Sequence, residues 1–155
     1  MAGKIEARLG ELGVTLPSPT APAFNYVPTV LTGNQLYISG QLPMQAGKLA
    51  QAGQLGSGAV TVDEGREAAR LCAISLLVQA KAALGELDRV TRVVKVVGFV
   101  SSTPEFGEQP KVVNGASDFL VEVFGDRGKH ARSAIGVAAL PFGASVEVEA
   151  IFEVE

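Results

Sequence analysis

Arg132, Glu147 and Glu149 are the residues of this chain whose types and spacing could do chemistry together. They lie in the C-terminal stretch KHARSAIGVAALPFGASVEVEAIFEVE, Lys129 to Glu155. A guanidinium presents a planar fork of donors that grips a carboxylate through two charge-assisted hydrogen bonds. A glutamate can orient or deprotonate a water. From Ser145 to Val154 the pattern alternates, so Val146, Val148, Ala150, Phe152 and Val154 face one way while Ser145, Glu147, Glu149, Ile151 and Glu153 face the other. Two β-branched runs flank Leu140-Pro141-Phe142-Gly143, which suits the turn of a β-hairpin. Such a hairpin would bring Arg132 and the two glutamates onto one sheet surface. Spacing alone leaves two outcomes for them: a structural ion pair within the sheet, or a site for a small acid.

Other chemistries have less to work with. The chain holds one cysteine, Cys72, and one histidine, His130, so a structural zinc site or a Cys/His nucleophile pair finds little support. Cys72 falls on an apolar helix face and reads as inert core; His130 reads as an exposed loop residue beside Arg132. The net charge of −3 leaves no broad basic footprint for nucleic acid. The N-terminus KIEARLGELG has no apolar segment of the signal-peptide kind, and no run approaches a membrane span, so a cytoplasmic protein is expected. A single cysteine fits a reducing compartment.

The elements that must position these groups can be placed along residues 1–155, taken as one domain. Ile5, Leu9 and Leu12 predict an N-terminal helix within residues 1–13, stopped by Gly13, and a Pro-rich connector follows over 14–23. Phe24 to Leu31 and Gln35 to Ser39 read as strands joined by the turn Thr32-Gly33-Asn34. Leu42 to Gly58 reads as a loop or short ribbon. Thr61 and Glu64 form a capping box that opens a helix running to about Leu84, closed by Gly85. Its apolar face is Ala68, Leu71, Cys72, Leu76, Ala80, Ala83 and Leu84, with Ser75, Gln79 and Lys81 elsewhere. Val90 to Val100 is a valine-rich central strand. A second helix, about Pro110 to Phe124, buries Val112, Val113, Ala116, Phe119, Leu120 and Phe124. The order predicts an α+β two-layer sandwich, a mixed sheet with two helices on one face. The other face, carrying Glu147 and Glu149, would meet water or another subunit.

From about Tyr26 to Val154 the chain resembles the RidA/YjgF family, the reactive intermediate deaminases. The resemblance rests on Ile38-Ser39-Gly40-Gln41 with Pro43, on VVKVVGFV, on Asn114, and above all on Ala131-Arg132-Ser133 followed by Leu140-Pro141 and Val146-Glu147-Val148-Glu149-Ala150. The N-terminal helix and the longer loop after Pro43 are similar to a longer-chain bacterial subgroup historically described as endoribonuclease-like. The resemblance implies a chorismate-mutase-like fold of the bacillus type. It implies a homotrimeric barrel with sites in the clefts between subunits, and no cofactor or metal. The implied activity is hydrolysis of enamine and imine intermediates, such as 2-aminoacrylate, to 2-keto acids and ammonia. Arg132 would hold the substrate carboxylate and Glu147 would position water. Tyr26, Ser39, Gly40 and Asn114 would complete the substrate pocket. Two positions depart from the family pattern: Ala134 stands where a cysteine is frequent, and Gly136 where an acidic residue is common, which would leave a roomier pocket. A non-catalytic trimer that binds small carboxylates such as 2-keto acids is the alternative. An endoribonuclease is disfavoured by the charge and the lone histidine.

Overall fold

In the computed structural model, which describes residues 3–155, the valine-rich segment forms β5 (Val90–Ser101) in the interior of a five-stranded sheet. The other strands are β1 (Thr29–Thr32), β2 (Gln35–Gln41), β6 (Ala131–Val137) and β7 (Val146–Val154), and the spatial order is β1-β2-β7-β5-β6. Two short strands, β3 (Met44–Gln45) and β4 (Lys48–Leu49), form a separate ribbon within the long loop. β1 begins at Thr29 rather than at Phe24, because Pro28 offers no N–H to the ladder and Phe24 stands 70% exposed.

The expected C-terminal hairpin does not form. β6 pairs parallel with β5, β7 pairs antiparallel with β5 on its opposite edge, and β5 lies between them. An apolar, β-branched strand such as β5 gains most when both of its edges are hydrogen-bonded and both flanks packed. The eight-residue connection Ala138–Ser145 is long enough to cross it. That connection turns at Pro141–Gly143, where Phe142 and Gly143 take positive φ of 58° and 74°. The topology has a direct consequence for the chemistry. Arg132 pairs with Val96, a buried residue, whereas Glu147 and Glu149 pair with Phe99 and Val97, which are only partly buried. Paired residues point to the same side of a sheet, so Arg132 and the two glutamates lie on opposite faces.

Helices cover one face only. Helix α2 (Val62–Leu84) opens on the capping box: Thr61 Oγ1 accepts from the Glu64 N–H at 3.1 Å, and Glu64 Oε1 accepts from the Thr61 N–H at 3.2 Å. It ends at Gly85, where φ is +85°. Two residues differ from the expected face: Gln79 is buried, and Ala83 is exposed. Helix α3 (Gln109–Phe124) lies against α2 at Gly115, where a Cβ would come within 2.7 Å of the Arg66 carbonyl carbon. Between helices and sheet sit Phe119, Phe152, Leu36, Leu76, Leu77 and Leu120, all fully buried. Helix α1 (Lys4–Glu11) docks by Leu9 and is capped by a distant side chain, since the Asp88 carboxylate accepts from the Lys4 and Ile5 N–H groups, both at 2.9 Å. Residues 1–2 of the expected helical segment 1–13 lie outside the described residues. No helix among the described residues is long and apolar enough to cross a membrane.

Among the described residues no helix lies on the second face of the sheet. Tyr37, Lys95, Val97, Glu149 and Ile151 border a hollow of about 420 Å3 there. Val30 and Tyr37, paired on that face, stay substantially exposed.

Candidate active site

Arg132 lies on β6, an edge strand, and leans onto the polar stripe of α3. Residues Pro110, Asn114 and Ser117 follow one another at helical spacing and so form one line along that helix. Nη1 donates to Asn114 Oδ1 at 2.8 Å and to Ser117 Oγ at 3.2 Å, and Nη2 donates to the Pro110 carbonyl at 3.3 Å. All three acceptors are neutral. Among the described residues no carboxylate pairs with Arg132, so the structural ion pair with Glu147 or Glu149 is not what holds it. A guanidinium has five N–H donors. Three are committed within the chain, which leaves Nε–H and one Nη2–H for an incoming anion.

Glu147 occupies the opposite face. Its carboxylate lies over Gly40, where the ladder between β2 and β7 is interrupted and a Cβ would meet the Glu147 carboxyl carbon at 2.8 Å. Only glycine leaves that space to the side chain. Glu147 is half-buried, and its carboxyl is held above the usual range, first by burial and then by the neighbouring Glu149 charge. Neither glutamate has a salt-bridge partner among the described residues. Beside Glu147, Ser39 fixes the segment that carries Tyr26: its N–H donates to the Pro28 carbonyl at 2.9 Å and its hydroxyl to the Val27 carbonyl at 2.9 Å. Tyr26 is half exposed and lines a cleft of about 480 Å3 with Gly40, Gln41, Gln79 and Phe142.

The six expected site residues therefore fall into two groups. Arg132 and Asn114 meet at the β6 edge on the helix side. Glu147, Gly40 and Ser39 gather around β2 and β7 on the other side, and Tyr26 joins Gly40 at a cleft that Gln79 of α2 also borders. Within one chain Arg132 and Glu147 are two strand spacings apart, about 10 Å across the sheet, are offset by a further three residues along β5, about 10 Å, and face opposite ways. Gly136 borders a hollow of about 440 Å3 with Ser102, Phe106 and Gln109, and a Cβ there would meet Ser102 Oγ at 2.6 Å and Gln109 Nε2 at 2.8 Å.

Residues 6–153 match the model of the family described as "YjgF/chorismate mutase-like, putative endoribonuclease". The chain belongs to the RidA/YjgF family. Protein TCP17 of Trypanosoma cruzi is 54% identical over 153 residues, covering 98% of this chain and 95% of its own length. The 2-iminobutanoate/2-iminopropanoate deaminase of Dermatophagoides farinae is 30% identical over 139 residues, covering 90% and 91%. The crystal structure of protein Atu1372 from Agrobacterium tumefaciens superposes with a TM-score of 0.90 at 53% identity, covering 97% of this chain and 93% of that one. The chorismate-mutase-like α+β fold expected of a RidA/YjgF protein is the fold observed.

Two residues at the arginine were missed or misjudged in the sequence. Ser117 is not among the residues the sequence points to, although it lies three residues after Asn114 and hence on the same helix face. His130 is not an exposed loop residue but half-buried, with Nε2 2.9 Å from Ser117 Oγ and Nδ1 2.6 Å from the Gly128 carbonyl oxygen. Its position two residues before Arg132, at the mouth of a strand, was the available signal. Cys72 is inert core as expected: it is fully buried and its thiol is pushed well above its ordinary value, chiefly by burial.

Proposed function

We propose that this protein hydrolyses small enamine and imine acids, of the 2-aminoacrylate class, to 2-keto acids and ammonia. The site in this reading is completed by a second copy of the chain, within a homotrimer. The observation that carries it is Arg132: a half-buried guanidinium, held by three neutral acceptors, with two donors left over and no carboxylate of its own. A charge positioned at that cost in desolvation is matched to an anion from outside the chain. A small α-imino acid has one strong handle, its carboxylate, and Arg132 would take it. The reacting carbon would then lie near Glu147 of a neighbouring copy. An enamine first takes a proton from water at its terminal carbon and becomes the protonated imine; water adds to the C=N carbon, giving a carbinolamine; its C–N bond then breaks, ammonia leaves and the C=O of the keto acid forms. Glu147, whose proton affinity is raised by burial and by the Glu149 charge, can accept the water's proton and return it to nitrogen. The relationship to a 2-iminobutanoate/2-iminopropanoate deaminase supports this reading.

The test generates 2-aminoacrylate from serine with a dehydratase and follows pyruvate release. Acceleration by this protein, lost in Arg132→Ala, is the expected result. No acceleration, or full activity in Arg132→Ala, overturns it.

One observation favours a second reading, a trimer that binds small carboxylates without turning them over. Arg132 has its acceptors within its own chain, whereas Glu147 lies on the opposite face and depends entirely on assembly to reach a bound ligand. Calorimetric binding of 2-oxobutanoate without acceleration of 2-aminoacrylate hydrolysis would support that reading over the first.

A further inference from the structure

His130 is the single histidine of the chain, and its two ring nitrogens have unlike partners. Nδ1 lies 2.6 Å from the Gly128 carbonyl oxygen. A carbonyl oxygen only accepts, so Nδ1 carries the proton. In the neutral ring Nε2 is then the acceptor, and it takes the Ser117 hydroxyl proton across 2.9 Å. With its hydrogen committed to the ring, the Ser117 oxygen presents its lone pairs elsewhere, and Arg132 Nη1 donates into one of them at 3.2 Å. The direction of every bond in the series is thus set: guanidinium to hydroxyl, hydroxyl to imidazole, imidazole to the Gly128 carbonyl. Asn114 and Pro110 hold the rest of the guanidinium's inner edge.

We propose that Ser117 and His130 are positioning residues for Arg132: the neutral, Nδ1-protonated imidazole sets the direction of the Ser117 hydroxyl, and that hydroxyl fixes the rotation of the guanidinium so that Nε–H and the second Nη2–H face the incoming carboxylate. The proposal rests on the reading of Arg132 as a carboxylate anchor. Protonation of Nε2 would turn an acceptor into a donor, release the Ser117 hydrogen and place a second cation beside the guanidinium. The surroundings oppose that change. Burial lowers the proton affinity of the ring, the Arg132 charge lowers it further, and the Gly128 carbonyl offsets part of this. The other charged groups nearby are already engaged: Lys129 pairs with Asp126 at 3.0 Å, and Asp118 on α3 pairs with Arg66 at 3.4 Å.

The experiment uses the full chain and 2-oxobutanoate as the probe. Because there is one histidine, a long-range 15N–1H spectrum reads its tautomer without assignment. The expected spectrum is that of the Nδ1–H form at neutral pH, with a pKa that rises in Arg132→Ala; the Nε2–H form overturns the proposal on the unaltered protein, whatever the variants do. In calorimetry, Ser117→Ala and His130→Phe each weaken 2-oxobutanoate roughly 5- to 10-fold, the worth of one ordinary hydrogen bond. His130→Gln, whose amide oxygen can accept from Ser117, recovers most of that affinity. For 2-aminoacrylate turnover the same variants raise KM and leave kcat nearly unchanged, which a general loss of structure would not do. Unchanged affinity in both Ser117→Ala and His130→Phe, beside lost binding in Arg132→Ala, overturns the positioning role alone. Unchanged binding in Arg132→Ala, or none by the unaltered protein, overturns the anchor reading and this proposal with it.

Discussion

Arg132 and Glu147 stand on either side of β5, and the chain treats the two charges differently. Arg132 faces the helix layer, where α3 supplies an amide oxygen, a hydroxyl and a carbonyl to its donors. Glu147 faces the bare side of the sheet, where it has no salt-bridge partner among the described residues and a second carboxylate for a neighbour. The difference follows from what each group can do when half-buried. A guanidinium does not give up its proton, so it must be met with acceptors. A carboxyl can bind a proton instead, and this one is pushed in that direction. A covered sheet face can finish a site from within one chain. An open face leaves its charge to be finished by whatever covers it.

The widest gap between the faces should appear in stability. Phe152→Ala, on the covered side of β7, is expected to cost about 3–5 kcal/mol in urea unfolding, the usual price of emptying a buried aromatic site. An equal loss from Ile151→Ala, its neighbour on the open side, would mean that another copy packs that face as tightly. Function should divide next. Glu147→Gln should slow 2-aminoacrylate turnover by roughly 100-fold, a typical loss for a general base, and leave 2-oxobutanoate affinity within roughly twofold. Arg132→Ala should do the reverse in binding, weakening 2-oxobutanoate by about 30-fold. Variants that fail to split in this way would break the division of labour.

Stability against pH sharpens the same contrast. With its folded-state pKa raised, Glu147 binds its proton more tightly in the folded chain than in the unfolded one. The stabilisation linked to that proton is full below the unfolded pKa and is lost as pH rises through the folded value. Glu147→Gln should therefore raise Tm by a few degrees, about 2 °C, near neutral pH, and leave it unchanged below about pH 4. Asp88 is the opposite kind of carboxylate. Its pKa is lowered, first by the Ile5 N–H and then by that of Lys4. Its contribution is present above the unfolded pKa and fades as pH falls through the depressed folded value. Asp88→Ala should be the smallest effect, about 0.5–1 kcal/mol at neutral pH for an exposed cap, seen as earlier loss of α1 in hydrogen exchange.

Much of the fold was legible along the chain because its signals are local. The Thr61/Glu64 capping box and Gly85 bound α2 as expected, and the apolar spacing of α3 named its buried residues apart from Val123. The alternation in β7 held at every position from Val146 to Val154. The terminal hairpin was misjudged because Leu140-Pro141-Phe142-Gly143 looks the same locally whether it joins neighbouring strands or crosses one. Gln79 was misplaced because a polar residue on a helix flank does not announce that a connector and a loop close over it.

Residue types and short-range order, then, were set by the sequence itself: which segments are helix or strand, and which side of each is apolar; the resemblance to the family added Arg132, Glu147, Tyr26, Ser39, Gly40 and Asn114 as an expected set. Only the tertiary structure decided which of them meet. Strand order is a competition for the edges of β5, and its outcome, β7 on one edge and β6 on the other, put Arg132 and Glu147 on opposite faces. No local interaction encodes that choice, because it depends on burying the whole of β5 at once. The same packing brought Ser117 and His130 against the guanidinium, thirteen residues apart in sequence and joined by one hydrogen bond.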